Sequence, residues 1–201
     1  MKQSERRART REQILDAAEQ LFSEHGVDGT KIDDIVAAAD LARGTFYYNF
    51  KTKDELVVGL AKRDLRKLAV RTLKRLETDE SAIDVLRELF AGACRWYSRN
   101  QHLAETMLTY PYRNPDAVQR PVEDNSSFRH VTQQIIEHAQ KRGELREDIS
   151  AAMLTQIVVG IFNQAAFVWV HFPKLAKLDV WIDQFLNVYL NGARRQPSEG
   201  S

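Results

Sequence analysis

Cysteine is nearly absent: Cys94 is the only one in 201 residues. A lone thiol cannot close an internal disulfide and supplies too few ligands for a zinc finger, so the default is an intracellular, cytoplasmic protein. Excess charge is missing too, with 29 Lys and Arg against 28 Asp and Glu for a net +1. Over the whole chain that balance argues against a nucleic-acid partner, yet a mean conceals clustering. Lys2, Arg6, Arg7, Arg9 and Arg11 face only Glu5 at the start of the chain. No apolar region follows those cations, so the segment does not read as a signal peptide. The longest apolar stretch, Ile157 to Phe172, is short for a membrane span and contains Asn163, Gln164 and His171. It reads as buried in protein, with no membrane partner. The marks of catalysis are also lacking: no nucleophile elbow, P-loop, H-E-x-x-H pair or Gly-rich turn behind a strand. Cys94 lies in an apolar helical pattern and reads as a small core residue rather than a nucleophile. His130 and His138 are too far apart for an i, i+4 metal pair. Neither an enzyme, a metal site nor a cofactor is expected.

What is present is helical periodicity. Apolar residues make up 43% and charged residues 28%, ordinary for a folded chain. From Arg9 to His25, residues Ile14, Ala17, Ala18, Leu21 and Phe22 form one stripe, and Gly26 offers a left-handed stop. Thr30, three residues before Asp33, approximates a capping box for a short second helix from Lys31 to Ala38. A four-residue break, Ala39 to Ala42, leads into RGTFYYNFKTKDEL (Arg43 to Leu56). Here Phe46 and Phe50 at i, i+4 face inward and leave Arg43, Thr45, Tyr48 and Asn49 outward. Thr52 and Glu55 form a T-x-x-E box that opens a long fourth helix carrying Leu56, Leu60, Leu68 and Leu76.

Two short helices joined by a tight turn, the second with a polar outer face, outline a helix-turn-helix. Thr, Tyr and Asn suit phosphates or base edges, and Arg can pair bidentately with guanine. The alternative is a three-helix packing module whose polar residues are merely solvated. ILDAAEQLF before Gly26, GTKIDDIVAAA, and above all RGTFYYNFKTKDEL make residues 9–60 resemble the DNA-binding domain of the TetR (tetracycline-repressor) family of bacterial transcription regulators. The resemblance implies that Arg43, Gly44 and Asn49 read bases. It also implies that Thr30 caps helix two and touches phosphate, and that Thr45, Tyr47, Tyr48 and Lys53 meet phosphates. Arg6 and Arg7 join the DNA-binding set through the basic N-terminus. The turn departs from the family, which often has Gly and then Ser where this chain has Asp40 and Ala42. Asp can adopt the left-handed conformation, but Ala42 cannot cap with its side chain, and Asp40 brings negative charge toward DNA.

Beyond residue 60 only periodicity speaks. Ile83, Leu86, Phe90, Ala93 and Tyr97 share a face, as do Phe128, Val131, Ile135 and Ala139 before Gly143. Between them YPYRNPDAVQRPVEDNSS, with Pro111, Pro115 and Pro121, reads as a long irregular connection. Asp148 is placed to cap the apolar helix that Pro173 ends, and a last helix runs from about Asp179 to Ala193. Helices this apolar need cover on more than one side. The family typically obtains it by homodimerising through a bundle of its last two long helices, and Ile161 or Phe162 is expected on or beside that seam. The alternative is that both helices are ordinary core. Trp96, Tyr97, Met107, Tyr110, Phe128, Phe162, Phe167 and Trp169 could line a ligand cavity between helices, and the resemblance implies a small, apolar effector.

The expected architecture is all-α. Residues 1–52 would form a three-helix helix-turn-helix domain, residues 53–194 a helical ligand-binding and dimerisation domain, and residues 195–201 a flexible tail. The expected function is a homodimeric, ligand-responsive repressor on a palindromic double-stranded DNA operator, its half-sites about 34 Å apart. The alternative is a ligand-binding helical protein whose DNA binding is weakened or lost.

Overall fold

The computed structural model describes residues 3–115, 127–175 and 177–194. Expectations placed on Lys2, on residues 116–126 of the long connection and on the tail fall outside them. Among the described residues the structure is helical: α1 (Gln3–Gly29), α2 (Ile32–Ala38), α3 (Arg43–Asn49), α4 (Lys53–Leu73), α5 (Ala82–Arg99), α6 (Gln101–Arg113), α7 (Phe128–Lys141), α8 (Ala151–His171) and α9 (Leu178–Ala193). A 3-10 turn, Lys74–Glu77, follows α4. The all-α fold is therefore as the periodicity suggests. The chain divides into two compact units, residues 1–61 and 62–201, so the division falls inside α4 rather than ahead of it at Thr52. The first turns of α4 carry Leu56, Val57, Leu60 and Ala61, all buried.

In the first unit α1 packs on α2 and α3, and α2 packs on α3. Ile14, Ala18, Ile35, Phe46 and Phe50 are fully buried in its core. Gly26 breaks the helical path of α1 with φ 71° and ψ 167°. The break orphans carbonyls at the end of the regular helix, and the Thr30 hydroxyl donates to that of Gly26 at 2.7 Å. Thr30 is thus buried rather than capping α2. The cap position belongs to Lys31, whose amide donates to the Asp34 carboxylate at 3.1 Å. Asp40 takes φ 52°, the one non-glycine residue with positive φ among the described residues. Ala42 occupies the start of α3 without a side-chain cap. At α4 the Glu55 amide donates to the Thr52 hydroxyl at 3.0 Å, and the Glu55 carboxylate accepts from the Lys51 amide at 2.7 Å.

In the second unit α5 packs on α7 and α9, and α8 packs on α6, α7 and α9. The inner faces meet in an aromatic cluster, with Phe162 5.2 Å from Phe90 and 6.0 Å from Phe128, ring centre to centre. Helix α6 is absent from the periodicity reading, because it begins one residue after α5 ends and runs through Pro111 in its last turn. Tyr110 to Arg113 are consequently helical, not part of an irregular connection. Proline there removes one intrahelical donor, the one to the Met107 carbonyl, and the disturbance is confined to the last turn. Gly143, at φ 72°, follows α7 as expected. Ser150, not Asp148, caps α8, accepting from the Met153 amide at 3.3 Å. The Asp148 carboxylate is taken by Arg146, at 2.5 Å. By length and composition α8 could cross a membrane, but Leu154, Val158, Phe162 and Ala166 bury one face of it in the core.

Candidate DNA-binding face and ligand cavity

The polar face of α3 exists because Phe46 and Phe50 turn the opposite face inward. Arg43, Gly44, Tyr47 and Tyr48 are exposed and Thr45 is half-buried. Tyr48 is 59% exposed. Arg7, on the exposed start of α1 beside Arg6, places its guanidinium 5.2 Å from the Tyr48 ring centre. Arg43 pairs with Asp33 of α2 at 3.1 Å. Nothing lies within 4 Å of the point where a Cβ on Gly44 would stand. The fold itself therefore places no demand for glycine at that position.

Three residues expected at the DNA make hydrogen bonds within the unit. Asn49 is buried, its amide nitrogen donating to the Thr45 carbonyl at 2.8 Å, because it sits one turn after Thr45 on the inner edge of α3. Thr30 is committed to α1. Lys53 is half-buried, and its ammonium donates to the Val27 and Thr30 carbonyls at 2.9 and 3.2 Å. All three hold the unit together. Arg11, counted in the sequence only among the N-terminal cations, packs on the core of this unit. Its guanidinium donates to the Asn49 carbonyl at 2.8 Å and lies 3.9 Å from the Phe50 ring centre. Burial lowers its pKa, partly offset by Glu55.

In the second unit a cavity of about 260 Å³ opens between α4, α5, α6, α7 and α8. Of the eight aromatic and Met candidates, Tyr97, Met107, Phe128 and Phe162 line it. Trp96 does not, since its indole N–H donates to Asp64 at 3.1 Å. Tyr110 and Trp169 are half-buried outside it. Phe167 belongs to a second cavity of about 340 Å³ between α6 and α8, which shares Met107 and Asn163 with the first. Leu65, Ala93 and Val159 extend the apolar wall of the first cavity, while exposed Lys62 and Arg129 supply cationic groups. An inventory of aromatic residues misses such cations, because exposed Lys and Arg at helical spacing look like any solvated face.

The outer faces of α8 and α9 remain partly uncovered. Met153, Ile157, Phe185 and Val188 are exposed, Val188 by 73%. Phe162 is not on this face: it is 3% exposed, held among Phe90, Tyr97 and Phe128. Ile161 is half-buried beside Phe185.

Residues 14–60 match the family model of bacterial regulatory proteins of the tetR family. Residues 63–192 match that of the C-terminal domain of TetR/AcrR family transcriptional repressors. The chain is 23% identical over 159 residues to a fatty acid metabolism regulator protein of Bacillus subtilis, covering 79% of this chain and 82% of that one. It is 27% identical over 179 residues to the transcriptional repressor BepR of Brucella suis, 83% of each chain. Among solved structures, Thermus thermophilus FadR in complex with lauroyl-CoA superposes with a TM-score of 0.78 at 25% identity, over 95% of this chain and all of that one.

Proposed function

The chain belongs to the TetR family of bacterial regulators and is a ligand-responsive, DNA-binding transcriptional repressor, and we propose that it works as a homodimer released from its operator by a long-chain acyl thioester. The observation that carries the ligand is the cavity, walled by Leu65, Val159, Met107 and Phe162 and bordered by Lys62 and Arg129. Such a space suits an apolar chain with an anionic head, since the chain gains from leaving water and the phosphates gain from the cations. Thermus FadR, similar over nearly its whole length, was solved with lauroyl-CoA.

Arg6, Arg7, Arg43, Gly44, Thr45, Tyr47 and Tyr48 form the DNA-facing set in this reading. Arg43 and Gly44 approach base edges, while Thr45, Tyr47, Tyr48 and the two N-terminal arginines serve the backbone. Thr30, Asn49 and Lys53 act as supports. The exposed stripe of Met153, Ile157, Phe185 and Val188 supports pairing through α8 and α9, which would set two α3 helices on successive major grooves of a palindrome. The ligand acts by population shift: it binds better to the form with poorer DNA affinity, and DNA weakens the ligand by the same factor.

The test is fluorescence anisotropy on DNA from the region upstream of the chain's own gene, with and without lauroyl-CoA. Tight binding, released by micromolar lauroyl-CoA but not by coenzyme A alone, supports the proposal. Binding to no fragment of the genome would favour the ligand-binding protein without DNA function.

A further inference from the structure

Tyr97 is the feature of the cavity that an apolar ligand alone leaves unexplained. Its side chain is 1% exposed and lines the cavity. The ring is fixed by edge contacts with Trp96 at 5.4 Å and Phe162 at 5.3 Å. The hydroxyl has no hydrogen-bond partner among the described residues, nor is its oxygen among the atoms sealed off entirely by protein. A residue this buried has little open space other than the cavity it lines. Burial raises its pKa well above that of an ordinary phenol, so the group stays neutral and keeps its proton to donate. A buried donor without a protein acceptor leaves hydrogen-bonding capacity that a ligand oxygen can take up.

Resting on the acyl-ligand reading above, we propose that Tyr97 is a specificity-determining residue that donates a hydrogen bond to the acyl carbonyl oxygen of the bound ligand. It thereby selects an acyl compound over a plain hydrocarbon chain of the same length. The carbonyl could come from a thioester or from a free fatty acid. Lys62, exposed at the same cavity, serves the anionic portion of either.

The experiment measures binding of lauroyl-CoA, of its thioether analogue S-dodecyl-CoA, which lacks the carbonyl, and of free laurate, to the wild-type chain and Tyr97→Phe. Phenylalanine retains the ring packing against Phe162, so the variant should fold, with an unliganded melting temperature equal to or above that of wild type. Wild type should prefer lauroyl-CoA to S-dodecyl-CoA by about five- to tenfold, the range of one net hydrogen bond. Tyr97→Phe should abolish that preference, weakening lauroyl-CoA while leaving S-dodecyl-CoA unchanged. If laurate binds with the same dependence on Tyr97, the recognised carbonyl includes that of the free acid. Equal affinity of wild type and Tyr97→Phe for lauroyl-CoA would overturn the role of Tyr97 but leave the acyl reading intact. Wild type that binds none of the three compounds would overturn the acyl reading itself.

Discussion

The Arg11 guanidinium of α1 donates to the main-chain carbonyl of Asn49, the last residue of α3, at 2.8 Å. A cation thus sits where the dipole of α3 is negative, packed on Phe50 and admitted by Gly59. A Cβ at Gly59 would stand 2.9 Å from the Phe50 ring and 3.2 Å from the guanidinium. Arg11→Met should therefore destabilise the helix-turn-helix unit by about 1.5–3 kcal/mol, the worth of a charged hydrogen bond, and lower operator affinity. Gly59→Ala should act in the same direction with Arg11 intact. Thermal melts and anisotropy titrations check both, and unchanged values would show that the contact is idle.

Gly44 separates binding from folding. No atom of the protein approaches its missing Cβ, and alanine is the better helix former by about 1 kcal/mol. Gly44→Ala should hold or raise the melting temperature while reducing operator affinity tenfold or more, because the added methyl meets DNA. Affinity unaffected by this change would remove Gly44 from the interface.

Arg43 and Arg7 should fail differently. Arg43→Ala is expected to relax sequence preference, narrowing the gap between operator and random DNA, whereas Arg7→Ala should weaken both alike and reduce the salt slope by about one. Asp33→Asn, which frees Arg43 from its ion pair, should tighten binding to any DNA. Titrations across a salt series distinguish the three.

The seam can be opened without touching the core. Ile157 and Val188 are 41% and 73% exposed in the single chain, so Ile157→Glu with Val188→Glu should fold yet sediment as a monomer. Its hold on a palindromic site should fall at least a hundredfold, since each half loses its tethered partner. A folded dimer with unchanged affinity would place the interface elsewhere.

Acid should weaken the second unit at one identifiable point. Burial works against the Glu144 carboxylate, but the Ser81 hydroxyl and the Ile83 and Ala82 amides, with Arg142 nearby, outweigh it and hold its pKa below the ordinary 4.5. A depressed carboxylate stabilises the fold above its unfolded pKa and loses that contribution as pH falls through the folded one. Glu144→Gln should thus cost about 1 kcal/mol at pH 7, and the gap to wild type should close as pH falls through the depressed carboxylate pKa. A gap independent of pH would assign the effect to packing.

Helix identities could be read from the sequence wherever an apolar stripe was long, as in α1, α5, α7 and α9, or a cap unambiguous, as at Thr52. Helix α6 was not, because Asn100 alone separates it from α5 and Pro111 resembles a terminator. For the α3 face, i, i+4 spacing placed Phe46 and Phe50 inward and Arg43 and Tyr48 outward as observed, while Thr45 is half-buried. It failed at Asn49, whose polarity suggested solvent while its amide turned back to Thr45. The contacts of Lys53 were not legible for a related reason: its long side chain reaches carbonyls 23 and 26 residues earlier in the chain, a tertiary fact with no local period. Four of the eight aromatic and Met candidates line the first cavity, because large apolar side chains concentrate in cores. Lys62 and Arg129 were not legible, since a cation declares its role only when a cavity lies beside it.

Cys94 has a practical consequence for all these measurements. Burial, reinforced by Asp179, pushes its thiol up to about 12, so at neutral pH almost none is thiolate and maleimides should leave it alone. A cysteine introduced at an exposed position outside both proposed surfaces, such as Asp79, would then be the only thiol to take a dye. Spectroscopic probes can be placed on the wild-type background without first deleting a native residue from the packed interior.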